Sequence, residues 1–341
     1  MISGLFVGFL LGFVLQRGRF CVVGAYRDLF LNKKLTIFTA LFIVILVQSI
    51  GIWLLADNGI ISVRERGFFW LSTIIGGTIF GFGMVIAGGC ATGTWYRAGE
   101  GLIGSMIALI FYALFAAITK YGALNFVQED LKGVQASEGM IYKSFGVSPW
   151  VLVAFLAVFV AILMYFELRK PKLNIARLKA KRKGLSHLLF EKSWHPFITA
   201  LLVAFIAILA WPLSTLSGRL DGLGITTPSA NLIAFLVTGS FKFIDWGVFL
   251  VLGIAIGAFS SAKLSGEFRF RLPDKKTLAY ASVGGALMGF GASLAGGCTI
   301  GNGLVQTAVF SYQGWVATIF FLLGAYLATY FTIILPTKKK A

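Results

Sequence analysis

The stretch GGTIFGFGMVIAGGC, residues 76–90, has a near copy, GGALMGFGASLAGGC, at residues 284–298. The two align without a gap at an offset of 208, share the pattern GG-x-x-x-GFG-x-x-x-AGGC and agree at nine positions. Each copy ends on one of the three cysteines of the chain. A chain rich in small apolar residues matches a few glycines by chance, but seldom this whole spacing. The repeat therefore predicts two structurally related halves.

Apolar runs like these recur along the whole chain. It has 341 residues, of which 58% are hydrophobic and 13% charged, and its mean hydropathy is +0.87. A soluble domain carries about 25% charged residues, whereas apolar runs of about 20 residues are long enough to cross a bilayer as helices. The short alternating segments of a transmembrane β-barrel are not found. We therefore expect an all-α polytopic membrane protein.

Nine transmembrane spans are predicted, with shorter apolar pieces between them. The spans cover roughly residues 2–16, 35–55, 68–87, 102–119, 150–168, 196–216, 246–261, 278–295 and 315–335. No basic region precedes the first span and no small-residue cleavage site follows it. We therefore interpret it as a retained span rather than a signal peptide.

The placement of lysine and arginine supports this count. With the N-terminus outside, the inner segments hold 23 of the 30 basic residues and the outer segments hold seven. Basic loops of bacterial membrane proteins face the cytoplasm. We therefore expect a multi-pass protein of the bacterial inner (cytoplasmic) membrane, with its N-terminus outside and its C-terminus in the cytoplasm. Arg17 and Arg19 follow this bias, but beside Cys21 they can equally draw an anion in, so both interpretations stay open.

The two copies of the repeat are expected to have opposite orientations, because five spans separate equivalent helices. The predicted organisation is a first repeat over residues 1–125, a connector with span five and a basic loop over residues 126–193, and a second, inverted repeat over residues 194–341. Inverted repeats are a common plan of transport proteins, whose binding site lies at the repeat interface near the membrane midplane.

Four short segments follow spans one, three, six and eight. Each joins small or polar residues to an apolar piece of about ten residues, which is too short to span. Non-helical backbone at membrane depth is tolerated only where it is buried in protein or lines a cavity. We therefore expect re-entrant half-helices that meet at a central constriction.

Glycines in the repeat have two predicted uses. G-x-x-x-G-type spacing lets helices approach closely, and this packing role fits Gly77, Gly81, Gly285 and Gly289. A glycine pair just before a cysteine instead frees the backbone beside a ligand, where a helix must stop. The glycines with this second role are Gly88, Gly89, Gly296 and Gly297.

Polar residues follow each glycine pair. Thr92 or Thr94 in the first copy, and Thr299 or Asn302 in the second, can cap the next short helix or donate hydrogen bonds. A half-helix N-terminus presents unpaired N–H groups and the positive end of a dipole. The breaks therefore predict an anion site without a fixed charge.

The cysteines are Cys21, Cys90 and Cys298, and their spacing matches neither a zinc motif nor a C-x-x-C pair. A single buried cysteine is ordinarily an inert core thiol. At a helix break, however, a neutral thiol is a polarizable S–H donor that suits a sulfur-containing anion. A thiolate would repel an anion, so we expect contact points and no covalent relay. Cys21 has no cysteine counterpart, because the offset lands on Ser229.

No enzyme motif competes with this interpretation. The sequence contains no H-E-x-x-H, no phosphate-binding P-loop and no paired carboxylates within a span. We therefore predict no catalytic residues, no metal and no cofactor. The net charge of +17 lies mostly in inner loops such as residues 167–184. Topology and anionic membrane lipid explain that charge without nucleic-acid binding.

Three stretches resemble the YeeE/YedE family of bacterial sulfur-compound permeases. They are QRGRFCVVGAYRDL near the N-terminus, GFGMVIAGGCATGTW in the first copy and GFGASLAGGCTIGNG in the second. The resemblance covers nearly the whole chain. It implies an hourglass-like, pseudo-symmetric bundle that takes up thiosulfate, with Cys21, Cys90 and Cys298 lining the path and Cys90 the most critical. It also implies cooperation with a small cytoplasmic TusA-like sulfur-carrier protein.

The leading hypothesis is therefore a thiosulfate permease. Its predicted path is lined by Cys21, Cys90, Cys298, Gly89, Thr92, Gly297, Thr299, Asn302 and Arg19. One branch of the resembled family is associated with selenium metabolism, so an importer of another sulfur or selenium oxyanion is an alternative. A membrane thiol oxidoreductase would need two cysteines close enough to bridge, and the sequence has no adjacent pair. A structural membrane subunit would leave the repeated GGC breaks without a purpose.

Overall fold

The computed structural model of the protein describes residues 1–133, 138–169, 184–192 and 194–338. Most of the basic run at residues 167–184 lies outside the described residues. The long helices are α1 (Ile2–Gly18), α3 (Thr36–Asp57), α4 (Trp70–Ile86), α6 (Ile103–Tyr121), α9 (Pro149–Leu168), α11 (Pro196–Thr215), α13 (Trp246–Ser265), α14 (Lys275–Leu294) and α15 (Tyr312–Thr329). Within the described residues, nine helical stretches are long and apolar enough to cross a membrane, which confirms the all-α polytopic prediction and the count of spans.

Short helices lie where the re-entrant segments are predicted. They are α2 (Val22–Asn32), α5 (Ala91–Gly99) and α12 (Thr226–Thr238), together with a π-helical turn at Gly301–Gln306. The remaining short helices are α7 (Asn125–Lys132), α8 (Ile141–Ser144), α10 (Gly184–Phe190) and α16 (Leu335–Lys338). A 3-10 turn lies at Phe241–Phe243, and a second π-helical turn at Tyr330–Ile334 precedes α16. The predicted half-helices therefore exist as separate elements beside the long ones.

Helices α4 and α14, the carriers of the repeated sequence, cross at their glycines. A Cβ added to Gly76 would lie 2.5 Å from the backbone nitrogen of Ala295, and one added to Gly284 would lie 2.4 Å from that of Ala87. Gly76 and Gly284 differ by the repeat offset, and so do Ala87 and Ala295. The two copies therefore make the same contact with each other.

The helices that pack beside α4 and α14 follow the same repeat relation. Helix α4 packs against α15, while α14 packs against α6. Gly81 approaches the carbonyl oxygen of Phe321 and Gly289 approaches that of Tyr112, and an added Cβ would lie 2.3 Å from the oxygen in both cases. The predicted packing glycines thus lie at helix contacts. An inverted repeat, which stays a prediction here, would produce this exchange of neighbours.

The connecting segments gather at two opposite faces. Contacts between segments predicted to be inside are Arg17–Leu189, Arg17–Lys192, Arg19–Glu267 and Leu102–Arg271. Contacts between segments predicted to be outside are Glu65–Lys143, Arg66–Asp221 and Met140–Ser311. Segments that follow an odd number of spans contact one another, and so do segments that follow an even number. This is the grouping expected if every span crosses the membrane.

Candidate functional site

Two of the three cysteines directly precede a short helix as its N-cap. Cys21 is the N-cap of α2, with extended backbone, and its sulfur faces the backbone N–H groups of Val23 and Gly24. Cys90 is the N-cap of α5, and its Sγ accepts a hydrogen bond from the N–H of Gly93 at 3.4 Å. The sequence pointed to Thr92 or Thr94 as the cap of α5. The cysteine itself performs that role, because its side chain precedes the first unpaired N–H groups.

Cys21 and Cys90 lie close together, although they are 69 positions apart in the sequence. Their thiols are near enough to influence each other electrostatically. A Cβ added to Gly93 would lie 3.4 Å from Cys90 Sγ and 3.9 Å from Cys21 Sγ. Both side chains are buried, with 5% and 3% of the residue exposed. The structure therefore contains a close thiol pair that the sequence did not reveal.

Cys298 occupies the related place in the second half. Its fully buried sulfur faces the hydroxyl of Thr226, which opens α12, and the N–H groups of Ile300 and Gly301. Tyr112 donates a hydrogen bond to Thr226 Oγ1 at 2.9 Å. A thiol–hydroxyl pair in the second half thus corresponds to the thiol–thiol pair in the first.

Thr226 is therefore the structural counterpart of Cys21, and sequence reasoning missed it. The fixed offset pointed to Ser229, whose hydroxyl instead accepts a hydrogen bond from Trp95 Nε1 at 2.9 Å. The loop before α12 differs in length from the loop before α2, so the offset of the GGC motif does not hold there. The position of Thr226 could have indicated its role. Thr226 is the first residue of α12, and Cys21 comes directly before the first residue of α2.

Thr299 connects the two halves of the site. It follows Cys298 in the chain, and its side chain lies next to the Cys90 thiol. Within the described part of the chain, the buried oxygens Thr92 Oγ1, Thr299 Oγ1 and Asn302 Oδ1 have no nitrogen or oxygen hydrogen-bond partner. Unpaired buried polar atoms are costly and call for a ligand or water.

The two glycines of each pair have different structural roles. Gly88 and Gly296 have φ of 70° and 71°, so the first glycine of each pair makes a left-handed turn that ends the helix. Gly297 lacks space instead, since an added Cβ would lie 3.0 Å from Asn302 Oδ1. The amide nitrogen of Asn302 holds this turn by donating to the carbonyl oxygen of Ala295 at 2.7 Å. Gly89 has an ordinary contact, 3.5 Å from Arg97 Nη1 to an added Cβ.

Three cavities lie near the cysteines or lead toward them. A cavity of about 630 Å³, here called the vestibule, opens among segments predicted to be outside. Next to the vestibule lies a cavity of about 40 Å³, here called the Cys298 cavity, because Cys298 is one of its lining residues. Beside Cys90, Thr92 and Gly93 lies a third cavity of about 10 Å³, which holds about one water molecule. The centre of the path is therefore closed in this conformation.

Charged residues occupy the face predicted to be inner. Arg17 pairs with Glu267 at 3.2 Å, and Arg19 pairs with Glu100 at 2.5 Å and with Glu267 at 2.8 Å. Burial acts to raise the pKa of Glu267, but hydrogen bonding to Gln16 and the charges of Arg19 and Arg17 hold that pKa below its usual value. Arg19, predicted on the path, is thus engaged by two carboxylates and does not line the cavity beside Cys90.

The cysteines at helix starts, the closed centre and the cavities define a candidate permeation site. A comparison with protein families matches the description "Sulphur transport" over residues 17–327. The chain belongs to the sulphur transport family. This membership confirms the resemblance noted in the sequence.

Relatives match along most or part of the chain. It is 51% identical to the thiosulfate transporter TsuA of Escherichia coli K12, over 99% of this chain and 96% of the relative. It is 35% identical to the thiosulfate transporter TsuA of Spirochaeta thermophila, over 94% of this chain and 96% of the relative. The probable transporter YedE of Escherichia coli is 31% identical over 46% of this chain and 38% of the relative. These relatives are named transporters, which agrees with the prediction of a permease without enzyme activity.

Proposed function

We propose that the protein is an inner-membrane permease that imports thiosulfate past its three cysteines. The observation that carries the proposal is the meeting of Cys21, Cys90 and Cys298 near Thr299 at the closed centre, each facing backbone N–H groups. Two relatives that match nearly the whole chain are named thiosulfate transporters. Their names supply the substrate, and the site chemistry suits it.

The site offers a dianion hydrogen-bond donors in place of water, and the positive charge of Arg97 acts on Cys21 and Cys90 from nearby. The N-termini of α2 and α5 supply N–H groups and the positive ends of two dipoles. The thiols supply soft S–H donors that match the terminal sulfur of thiosulfate. The unpaired hydroxyls of Thr92 and Thr299 supply two more donors. Transport then needs no covalent bond, only a widening of the centre that lets the anion pass from Cys298 to Cys90.

The proposal predicts that uptake depends on the Cys90 thiol. In cells without their own importers, Cys90→Ala should lower the uptake of sulfur-labelled thiosulfate by about 10-fold or more, because a hydrogen bond to a charged group contributes about 1.5–3 kcal/mol. Cys90→Ser should retain part of the uptake, since it keeps a donor and a helix cap.

A matched control is Ser293→Ala, which removes a buried hydroxyl that donates to the carbonyl oxygen of Gly289 at 2.9 Å. It should leave uptake close to that of the unaltered protein at equal membrane abundance. Unchanged uptake by Cys90→Ala would remove the proposed role of that thiol.

The substrate is open to a direct competition test. Unlabelled thiosulfate should suppress the uptake of labelled thiosulfate, whereas sulfite and selenite should suppress it only weakly. Stronger competition by selenite or sulfite would favour the import of another sulfur or selenium oxyanion. The resemblance of the N-terminal stretch to the selenium-associated branch motivates this comparison.

The contact between Cys21 and Cys90 gives the membrane thiol oxidoreductase a specific form. Such an enzyme would cycle these two thiols to a disulfide while its substrate gained two electrons. Titration of free thiols during thiosulfate uptake separates the two functions. A permease keeps both thiols reduced throughout, and a disulfide that forms with turnover would favour the oxidoreductase.

The remaining assignments complete the proposal. The repeat units are residues 1–125 and 194–341, with the connector at residues 126–193 and its basic loop beside anionic lipid. The N-terminus is outside and the inner end of the path faces the cytoplasm. There a TusA-like sulfur carrier would receive the imported sulfur. Co-purification of a TusA-like protein with the membrane-embedded chain, with and without thiosulfate, tests this partner.

A further inference from the structure

Three charged side chains stand where the vestibule meets the Cys298 cavity. Arg66, Arg219 and Asp221 line both cavities. Arg66 forms an ion pair with Asp221 Oδ2, and Arg219 Nη2 lies 3.9 Å from the same oxygen. An anion that moves from the vestibule toward Cys298 must therefore pass these two guanidinium groups and one carboxylate.

Arg219 is held in place but incompletely bonded. Within the described residues, its Nη1 is buried and has no hydrogen-bond partner. Added Cβ atoms on Gly247 and Gly224 would lie 2.4 Å from Nη1 and 2.6 Å from Nη2, so only glycine leaves room for the guanidinium. The ring of Trp246 lies 5.9 Å from its Cζ. Because Arg keeps its charge and donates in a fixed plane, this fixed guanidinium can pair with an anion in the cavities that Arg219 lines.

A second cation faces the same space. Lys120 lines the vestibule and donates a hydrogen bond to Thr227 Oγ1 at 2.7 Å. The charges that act on Lys120 come from three cations, Lys132, Arg66 and Arg219. In the described part of the chain, no carboxylate forms an ion pair with Lys120. Like charges crowded in a cavity of low dielectric attract an anion strongly.

The other carboxylates of the vestibule have partners of their own. Glu65 pairs with Lys143, and Asp245 caps α13 by accepting from the N–H of Val248 at 2.9 Å. Asp221 is thus the carboxylate that stands between the two arginines. It occupies the position in which a bound anion would meet both guanidinium groups.

We propose that Arg219, Lys120 and Thr227 form a first binding site for divalent tetrahedral oxyanions, and that Asp221 is a resident counter-anion which the ligand displaces. The ligand class rests on the proposed function. A dianion carries two charges against the single charge of Asp221, and it can take the place of Asp221 beside Arg219 Nη2. The site recognises oxyanion charge and shape, which sulfate and thiosulfate share, so discrimination by sulfur is left to the thiols below it.

The proposal is tested by calorimetric titration of the purified full-length protein with sodium sulfate and, separately, sodium thiosulfate at fixed ionic strength. Both anions should bind the unaltered protein with similar affinity. Arg219→Gln and Lys120→Gln should each weaken binding by about 10-fold or more, as loss of a charged hydrogen-bond donor does. Lys242→Gln, which removes an exposed cation over Phe243 outside the vestibule, should not.

Asp221→Asn gives the more specific result. It should tighten the binding of sulfate several-fold, because the competing negative charge is gone while both arginines remain. A variant that merely damages the fold would bind more weakly, so the direction of the change separates the two causes. Weaker binding by Asp221→Asn, or unchanged binding by Arg219→Gln, would overturn the proposal.

The binding site and the permease function can be refuted separately. Sulfate binding that follows these variants, in a protein that takes up no thiosulfate, would refute the proposed function and leave this site in place. Thiosulfate uptake that depends on Cys90, with binding that ignores Arg219, would refute this site alone.

Discussion

Cys90 has two roles: it caps helix α5, and its thiol lies beside other residues of the candidate site. Serine, threonine, aspartate and asparagine are the strong N-caps, and a sulfur that accepts from Gly93 at 3.4 Å is a weaker one. The thiol nevertheless occupies the cap, where it also meets Cys21 and Thr299. A locally weaker choice at a position with several functional contacts is typical of a binding site.

Gly93 gives a test of the thiol pair that leaves the thiols themselves intact. The added methyl group of Gly93→Ala would lie against both sulfurs, 3.4 Å from Cys90 Sγ and 3.9 Å from Cys21 Sγ. We expect a clear loss of thiosulfate uptake, because the methyl group would fill the small space beside Cys90. Stability should hold or rise by about 0.5–1 kcal/mol, since alanine is favoured over glycine inside a helix.

Gly104→Ala is the control for this substitution. Gly104 also lies in a helix, and its nearest foreign atom would be Pro273 Cγ at 3.3 Å, away from the cysteines. Uptake assays and thermal unfolding of both variants provide the comparison. Full uptake by Gly93→Ala would show that the anion does not pass beside this pair of sulfurs.

Sequence reasoning at this scale found the cysteines and the residues that break the helices. The repeat and the scarcity of cysteine marked Cys90 and Cys298 without any structure. The contact between Cys21 and Cys90 could not be predicted, because it depends on how α2 and α5 pack. Thr226 was missed for a related reason: a fixed offset fails wherever one copy has a longer loop.

At the scale of elements, the fold depends on backbone contact between α4 and α14. Gly76 and Gly284 each bring the opposite helix within a distance that excludes any side chain. The glycine spacing predicted close packing. It could not predict the partner helix, since spacing fixes the face of a helix and not what covers that face.

The pseudo-two-fold relation predicts equal effects of Gly76→Ala and Gly284→Ala. Their added Cβ atoms would lie 2.5 Å and 2.4 Å from backbone nitrogens, which cannot rotate away as a side chain does. Overpacking of this kind costs about 1–3 kcal/mol. Unfolding in mixed micelles should show a similar loss of stability for both variants and no loss for Gly104→Ala. A large effect at one glycine and none at the other would contradict the symmetric crossing.

At the scale of the whole molecule, two sets of loops are separated by the spans. One set is joined by Arg17 and Arg19 to Glu267, and the other by Arg66 to Asp221. The parity of the spans predicted this separation from the sequence. The contacts establish which segments share a face, but either face could be cytoplasmic by geometry alone. The predicted distribution of 23 inner and seven outer basic residues leads us to expect the N-terminus outside.

This orientation predicts opposite labelling of two single substitutions. The three native cysteines are 5% exposed or less, so they should not react with a bulky maleimide in the folded protein. Asn58 and Lys276 are exposed and lie in segments on the two opposite faces. In intact spheroplasts, a membrane-impermeant maleimide should label Asn58→Cys at once, and it should label Lys276→Cys only after permeabilisation. The unaltered chain, unlabelled in both conditions, is the control. The reverse pattern would place the N-terminus inside, and the vestibule with its cations would then face the cytoplasm and serve as an exit rather than an entrance.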